Sequence, residues 1–124
     1  MDSKKELLKK RLAGFKYAFR GVKLLKHEHN ARLHGIIGAC VIVAGFLLNI
    51  SRSEWIAVVI ACGCVPAAEA LNTAIERLAD IVEPEYSEAV RNIKDIAAGG
   101  VLLMALAAAV VGLIVFVPRL AELF

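Results

Sequence analysis

The carboxylate at position 69 constrains this chain more than any other residue. Glu69 lies inside the apolar run from Trp55 to Ala74, which otherwise reads as a membrane-spanning helix. A carboxylate in hydrocarbon costs roughly 2.5 kcal/mol even on the most lenient scale, so it requires a partner or a task. Asn72, Glu76 and Asp80 follow at steps of three, four and four residues. At about 100° per residue the four side chains fall within an arc of roughly 80°. One helix thus carries a polar stripe that begins inside the bilayer and ends at its surface.

The distribution of charge sets the class. Of 124 residues, 59% are hydrophobic, above the roughly 45–50% of soluble domains. Ten of the fifteen Lys and Arg fall in the first 32 residues, against Asp2, Glu6 and Glu28, a net +7. This is the profile of a small integral membrane protein with a basic arm, in one domain spanning residues 1–124. Cys40, Cys62 and Cys64 are odd in number and lie in apolar segments, so they read as small hydrophobes, not as disulfides or metal ligands. The N-terminus is charged and the first apolar run starts late, which does not fit a cleavable signal peptide.

Leu7, Leu8, Leu12, Phe15, Phe19 and Val22 recur at helical spacing among Lys and Arg. The pattern predicts an amphipathic helix over about 3–26, suited to an anionic membrane surface in preference to nucleic acid. Three spans follow, at about 31–50, 54–76 and 96–117. Asn49, Ser51 and Arg52 supply the first turn, Trp55 an interfacial anchor, Pro66 a bend one turn before Glu69, and Pro118 the end of the third span. A polar segment over 77–94, with Pro84 inside it, separates the second and third spans. The third span is rich in small residues, among them Ala97, Ala98, Gly99 and Gly100, which permit close helix packing in lipid, including packing between subunits. The expected fold is therefore an all-α membrane protein with a surface helix and three transmembrane helices. Lys and Arg crowd the arm and the 77–94 segment, whereas the opposite side holds only Arg52 and Arg119. The positive-inside rule then puts the N-terminus in the cytoplasm of a multi-pass protein in a cell membrane.

A bilayer core of about 30 Å takes roughly 20 helical residues. Counted from Trp55, Glu76 and Asp80 come to the headgroup level, and Glu69 lies about 10 Å deeper than Glu76. The same count brings Glu28, Lys94 and Asp95 to that face. Two carboxylates at an aqueous edge suit Mg²⁺, which takes one or two protein carboxylates plus phosphate oxygens. Lysine offers phosphate a mobile point charge. Glu69, desolvated at its depth, suits a base that accepts a proton from a lipid hydroxyl. The layout implies transfer from a water-soluble phosphate donor to a membrane-buried alcohol. His27-Glu28-His29 is not a zinc-protease pattern, since position 31 is Ala31, and the three histidines read as interfacial polar residues. No Walker or kinase-type glycine loop is present. A small proton- or cation-coupled transporter is the alternative from another class, although the stripe stops halfway, with no ionisable side chain except the two cysteine thiols from Trp55 to Ala68.

At these residues the sequence resembles the small prokaryotic diacylglycerol kinase family, which includes undecaprenol kinases. The matching stretches are Glu28-His-Asn-Ala-Arg-Leu-His34, Glu69-Ala-Leu-Asn-Thr-Ala-Ile-Glu76 with Asp80, and Lys94-Asp-Ile-Ala-Ala-Gly99. The resemblance implies a homotrimer with active sites shared between subunits, using ATP and Mg²⁺ to phosphorylate a membrane lipid alcohol. By position it implies Glu69 as catalytic base and Glu28 and Glu76 as metal ligands. It implies nucleotide contacts at Lys94, Asp95, Glu85, Tyr86 and Ser87, with Asn72 and Asp80 in the same site and Lys10, Arg11 and Phe15 on the arm. Asn30, Arg32, His34 and Ala98 are the implied lipid contacts. The first three, with the Asn-Thr-Ala-Ile-Glu run, look more like the undecaprenol branch than the diacylglycerol branch.

Overall fold

A computed structural model describes residues 3–124; Met1 and Asp2, the first residues of the basic arm, lie outside the described part. The described chain is all-helical. It comprises α1 (Lys4–Leu25), α2 (His29–Leu47), α3 (Arg52–Val82) and α4 (Glu88–Ala121). The last three are long and apolar enough to cross a membrane. Ile36, Leu47, Leu71, Leu103 and Ile114 are each at least 59% exposed along them. So much outward apolar surface suits lipid and not water, and the chain is a membrane protein.

Local chemistry sets each boundary. Ser3 and Ser51 open α1 and α3 with capping boxes, each accepting from the backbone N–H three residues on, while Glu6 and Glu54 reach back to the cap. Helix α2 ends three residues before the expected limit of the span. Asn49 takes a left-handed φ of 51°, and the Ile50 and Asn49 N–H groups bond the carbonyls of Gly45 and Phe46. This is a Schellman turn with asparagine in the position usually held by glycine. Gly45 is required for packing: a Cβ there would lie 2.7 Å from the Trp55 ring, which stacks tilted on Phe46 at 4.8 Å.

Three boundaries depart from the hydropathy reading. The segment over 77–94 is mostly helical, because α3 runs six residues past Glu76 to Val82 and α4 starts at Glu88. Hydropathy marks where lipid ends, and a helix needs no lipid to continue. Glu83, extended ahead of Pro84, stops α3. Helix α4 continues through Pro118 to Ala121, since a proline this close to the C-terminus removes a single helical bond. Helix α3 likewise runs unbroken through Pro66.

Helix α3 is the centre of the packing, with α4 against it most extensively and α2 next. Two ion pairs mark an antiparallel α3–α4 hairpin: Glu54 with Arg119, and Asp80 with Lys94. Positions 54 and 80 are about 39 Å apart along α3, so the pairs bracket a bilayer core of about 30 Å. The buried cluster of Ile50, Val58 and Val115, with Trp55 and Phe116 against it, lies toward the Glu54–Arg119 end. Helix α1 packs extensively against none of the others.

Candidate active site

Glu69 is 6% exposed, the one buried charged residue among those described. Its neighbour comes from α2. Nε2 of His34 lies 3.2 Å from Glu69 Oε1. The contact follows from the turn: α2 folds back on α3 about residues 48–51, which sets position 34 opposite position 69. The same register brings Glu28 to the next level outward, where Arg77 Nη2 donates to Glu28 Oε1 at 2.8 Å. His34 therefore does not behave as the interfacial residue its sequence context suggests. It reaches the depth of Glu69 and supplies the partner that a buried carboxylate requires.

One turn outward from Glu69, Asn72 Nδ2 donates to Glu76 Oε1 at 3.2 Å. The Asn72 Oδ1 atom is buried and accepts no hydrogen bond. A buried acceptor without a donor costs about 1–3 kcal/mol, so this oxygen is poised for an incoming hydroxyl or water. Beyond Glu76, Lys94 Nζ donates to Asp80 from α4. Glu69, Asn72, Glu76 and Asp80 thus form the expected stripe, flanked by His34 and Glu28 from α2 and by Lys94 from α4.

Below this stripe lies an apolar cleft of about 360 Å³ between α2 and α4, with α3 as its floor. Ile37, Val41, Val65, Ala108 and Gly112 are among its walls, and His34 is its polar boundary. An apolar body occupying this space meets the imidazole of His34, which lies against Glu69.

The carboxylates that a hard divalent cation would use at the polar end are Glu28, here paired with Arg77, and Glu76, which accepts from Asn72. Glu28 and Glu76 offer carboxylate oxygens on facing helices, with Glu28 at the level of the α3 turn that carries Glu76. Among the described residues no group of three or more His, Cys, Asp and Glu converges. A cation here would have two protein carboxylates and take its remaining oxygens from phosphate and water, the usual arrangement for Mg²⁺.

Other expected residues stand apart. Asp95 is 71% exposed and pairs at 3.9 Å with Arg91 on its own helix. Glu85 and Tyr86 lie on the α3–α4 connection, with Tyr86 78% exposed. Ser87 has a local task, capping α4 by accepting from the Val90 N–H. Asn30 and Arg32 are exposed on the first turn of α2, and Ala98 is exposed on α4. Arg11 and Phe15 are exposed on α1, and with Lys10 they sit on a helix that shares no extensive packing with the stripe. A single chain therefore does not assemble arm and stripe into one site. Arg77, paired with Glu28, was not among the expected residues; counting back from the α2–α3 turn would have found it.

The sequence model of the prokaryotic diacylglycerol kinase family matches residues 16–116, which include every member of the stripe but exclude Lys10, Arg11 and Phe15. An undecaprenol kinase of Bacillus subtilis is 32% identical over 97% of this chain and 100% of its own length. A diacylglycerol kinase of Synechocystis sp. is 39% identical over 90% of this chain and 65% of its own. A diacylglycerol kinase of Sinorhizobium sp. is 34% identical over 68% of this chain and 61% of its own.

Proposed function

Because the chain belongs to the prokaryotic diacylglycerol kinase family, and is therefore a lipid kinase with ATP as phosphoryl donor, we propose that its substrate is undecaprenol and that Glu69 is the base. The observation that carries the proposal is the burial of Glu69 on the polar stripe, 3.2 Å from His34, which borders an apolar cleft. A long lipid alcohol has the matching anatomy, an apolar body ending in one hydroxyl. The full-length similarity to an undecaprenol kinase favours that alcohol over diacylglycerol. Family membership lends no support to a transporter.

The residues divide the work by depth. Glu69 accepts the lipid hydroxyl proton, and the oxygen attacks the terminal phosphorus of ATP in line as the bond to the ADP oxygen breaks. Asn72 Oδ1 orients the hydroxyl. Lys94, on release from Asp80, offsets charge on the phosphates. Glu28 and Glu76 would hold Mg²⁺, which when bound neutralises phosphate charge. Such transfer leaves little covalent chemistry to the protein, so positioning and electrostatics dominate. Asp95, Glu85 and Tyr86 contact the nucleotide, and Lys10, Arg11 and Phe15 reach it from α1. Since α1 stands clear of its own stripe, the arm completes the site of a neighbouring subunit in a homotrimer. The stripe faces the cytoplasm of the bacterial inner membrane, in keeping with the excess of Lys and Arg at that end.

The test is transfer of radiolabel from γ-labelled ATP in mixed micelles containing undecaprenol or diacylglycerol. Labelled undecaprenyl phosphate at the higher kcat/KM is the expected product. Preferential labelling of diacylglycerol refutes the substrate assignment, and labelling of neither refutes the activity.

A further inference from the structure

The partner of the buried base is a histidine from another helix, and this pair separates two tasks within one carboxylate. Glu69 Oε1 lies 3.2 Å from His34 Nε2, and the carboxylate side chain is 8% exposed while the imidazole is 22% exposed. The other members of the stripe lie outward of Glu69 along α3. Asn72, the nearest, is committed through its amide nitrogen to Glu76. The cleft walls on α4, Ala105 and Ala108 among them, offer no side-chain donor. His34 Nε2, at 3.2 Å, thus stands within hydrogen-bonding distance of the carboxylate.

We propose that His34 is a positioning residue for phosphoryl transfer: its Nε2–H holds Glu69 Oε1 so that Oε2 is left free for the lipid hydroxyl. This rests on the assignment of Glu69 as base. The physical reason is rotational. A glutamate has three side-chain torsions, and the carboxylate of an unheld one samples orientations that do not meet a hydroxyl. A misplacement of about 1 Å in a reacting group costs on the order of a hundredfold in rate. Fixing one oxygen from α2 removes that freedom and ties the base to the helix that also carries Glu28. His34 borders the apolar cleft as well, so the carboxylate it holds is one side chain away from an alcohol seated there. His34 thereby acts on the transfer step through Glu69.

The experiment compares wild type, His34→Ala, His34→Gln and Glu69→Gln in micelles containing the preferred lipid, with kcat and both KM values measured. His34→Ala is expected to lose about tenfold to a hundredfold in kcat, with KM for ATP and for lipid within about twofold of wild type. His34→Gln, whose amide is a donor of similar reach, is expected to restore most of the loss. In a Glu69→Asp background, where the shortened carboxylate already stands off from position 34, His34→Ala is expected to cost much less than in wild type. Full kcat in His34→Ala overturns the proposal. So does a raised lipid KM with kcat retained, which is the signature of a substrate contact, and so does an equal kcat loss in the alanine and glutamine variants. If Glu69→Gln itself keeps its activity, the assignment of the base fails first, which distinguishes that failure from failure of the His34 role.

Discussion

The two ends of the α3–α4 hairpin are joined by the same device and built for opposite purposes. At the open end, beside the α2–α3 turn, Glu54 and Arg119 pair next to a packed cluster of Ile50, Val58 and Val115, and Trp55 closes over Gly45. The charges there complete a surface that is already sealed. At the other end, Asp80 and Lys94 pair above Glu76, Asn72 and Glu69, with no comparable apolar cluster among the described residues. Here the ion pair occupies groups that a phosphate substrate would claim. A buried core holds geometry through many small contacts, whereas charge pairs at an aqueous edge exchange partners at little cost. The difference teaches that the hairpin is sealed by apolar packing at its open end and held by more exposed charge at the end that carries the stripe.

The sharpest way to break that contrast is Glu69→Gln. Losing the proposed base should lower kcat about 10²- to 10⁴-fold, roughly 3–5 kcal/mol in the barrier, while calorimetry still detects ATP–Mg²⁺ binding. Near-normal turnover would show that the polar end does not need its deepest acid. Glu76→Gln should raise the Mg²⁺ concentration for half-maximal activity about tenfold to a hundredfold, and an unchanged Mg²⁺ titration would remove Glu76 from the ligand set. At the sealed end the prediction concerns stability. Gly45→Ala pushes a methyl into the Trp55 ring and should cost about 1–3 kcal/mol of resistance to unfolding in detergent, with kcat retained below the melting point. A melting curve identical to wild type would mean that the ring is free to yield. The smallest effect is expected for Arg119→Gln, which breaks the Glu54 pair and should cost no more than about 1 kcal/mol, with lipid phosphorylation unchanged. A large loss of activity there would erase the distinction between the two ends.

Much of this was legible in the sequence because each part depends on neighbours along one helix. The stripe of Glu69, Asn72, Glu76 and Asp80 follows from helical spacing alone, and the three apolar helices follow from hydropathy. The true ends of α3 and α4 were less legible, since hydropathy records the lipid boundary while caps and Pro84 record the helix boundary. Ser87 illustrates the ambiguity of a polar residue at a helix end, where one hydroxyl serves equally as cap or as ligand. The capping box Ser51-x-x-Glu54 was present in the sequence and would have fixed the start of α3 to the residue.

By itself the sequence determined that a carboxylate is carried into the membrane on a helix with a polar face, because periodicity and transfer free energy are properties of one segment. It also determined the family, through motifs that lie within single helices. What only the tertiary structure decided is who meets that carboxylate. Glu69 faces His34, Glu28 faces Arg77 and Lys94 faces Asp80 because two antiparallel turns set the registers of α2, α3 and α4. A shift of one residue at either turn rotates a helix by about 100° and would replace the pairs that cross that turn.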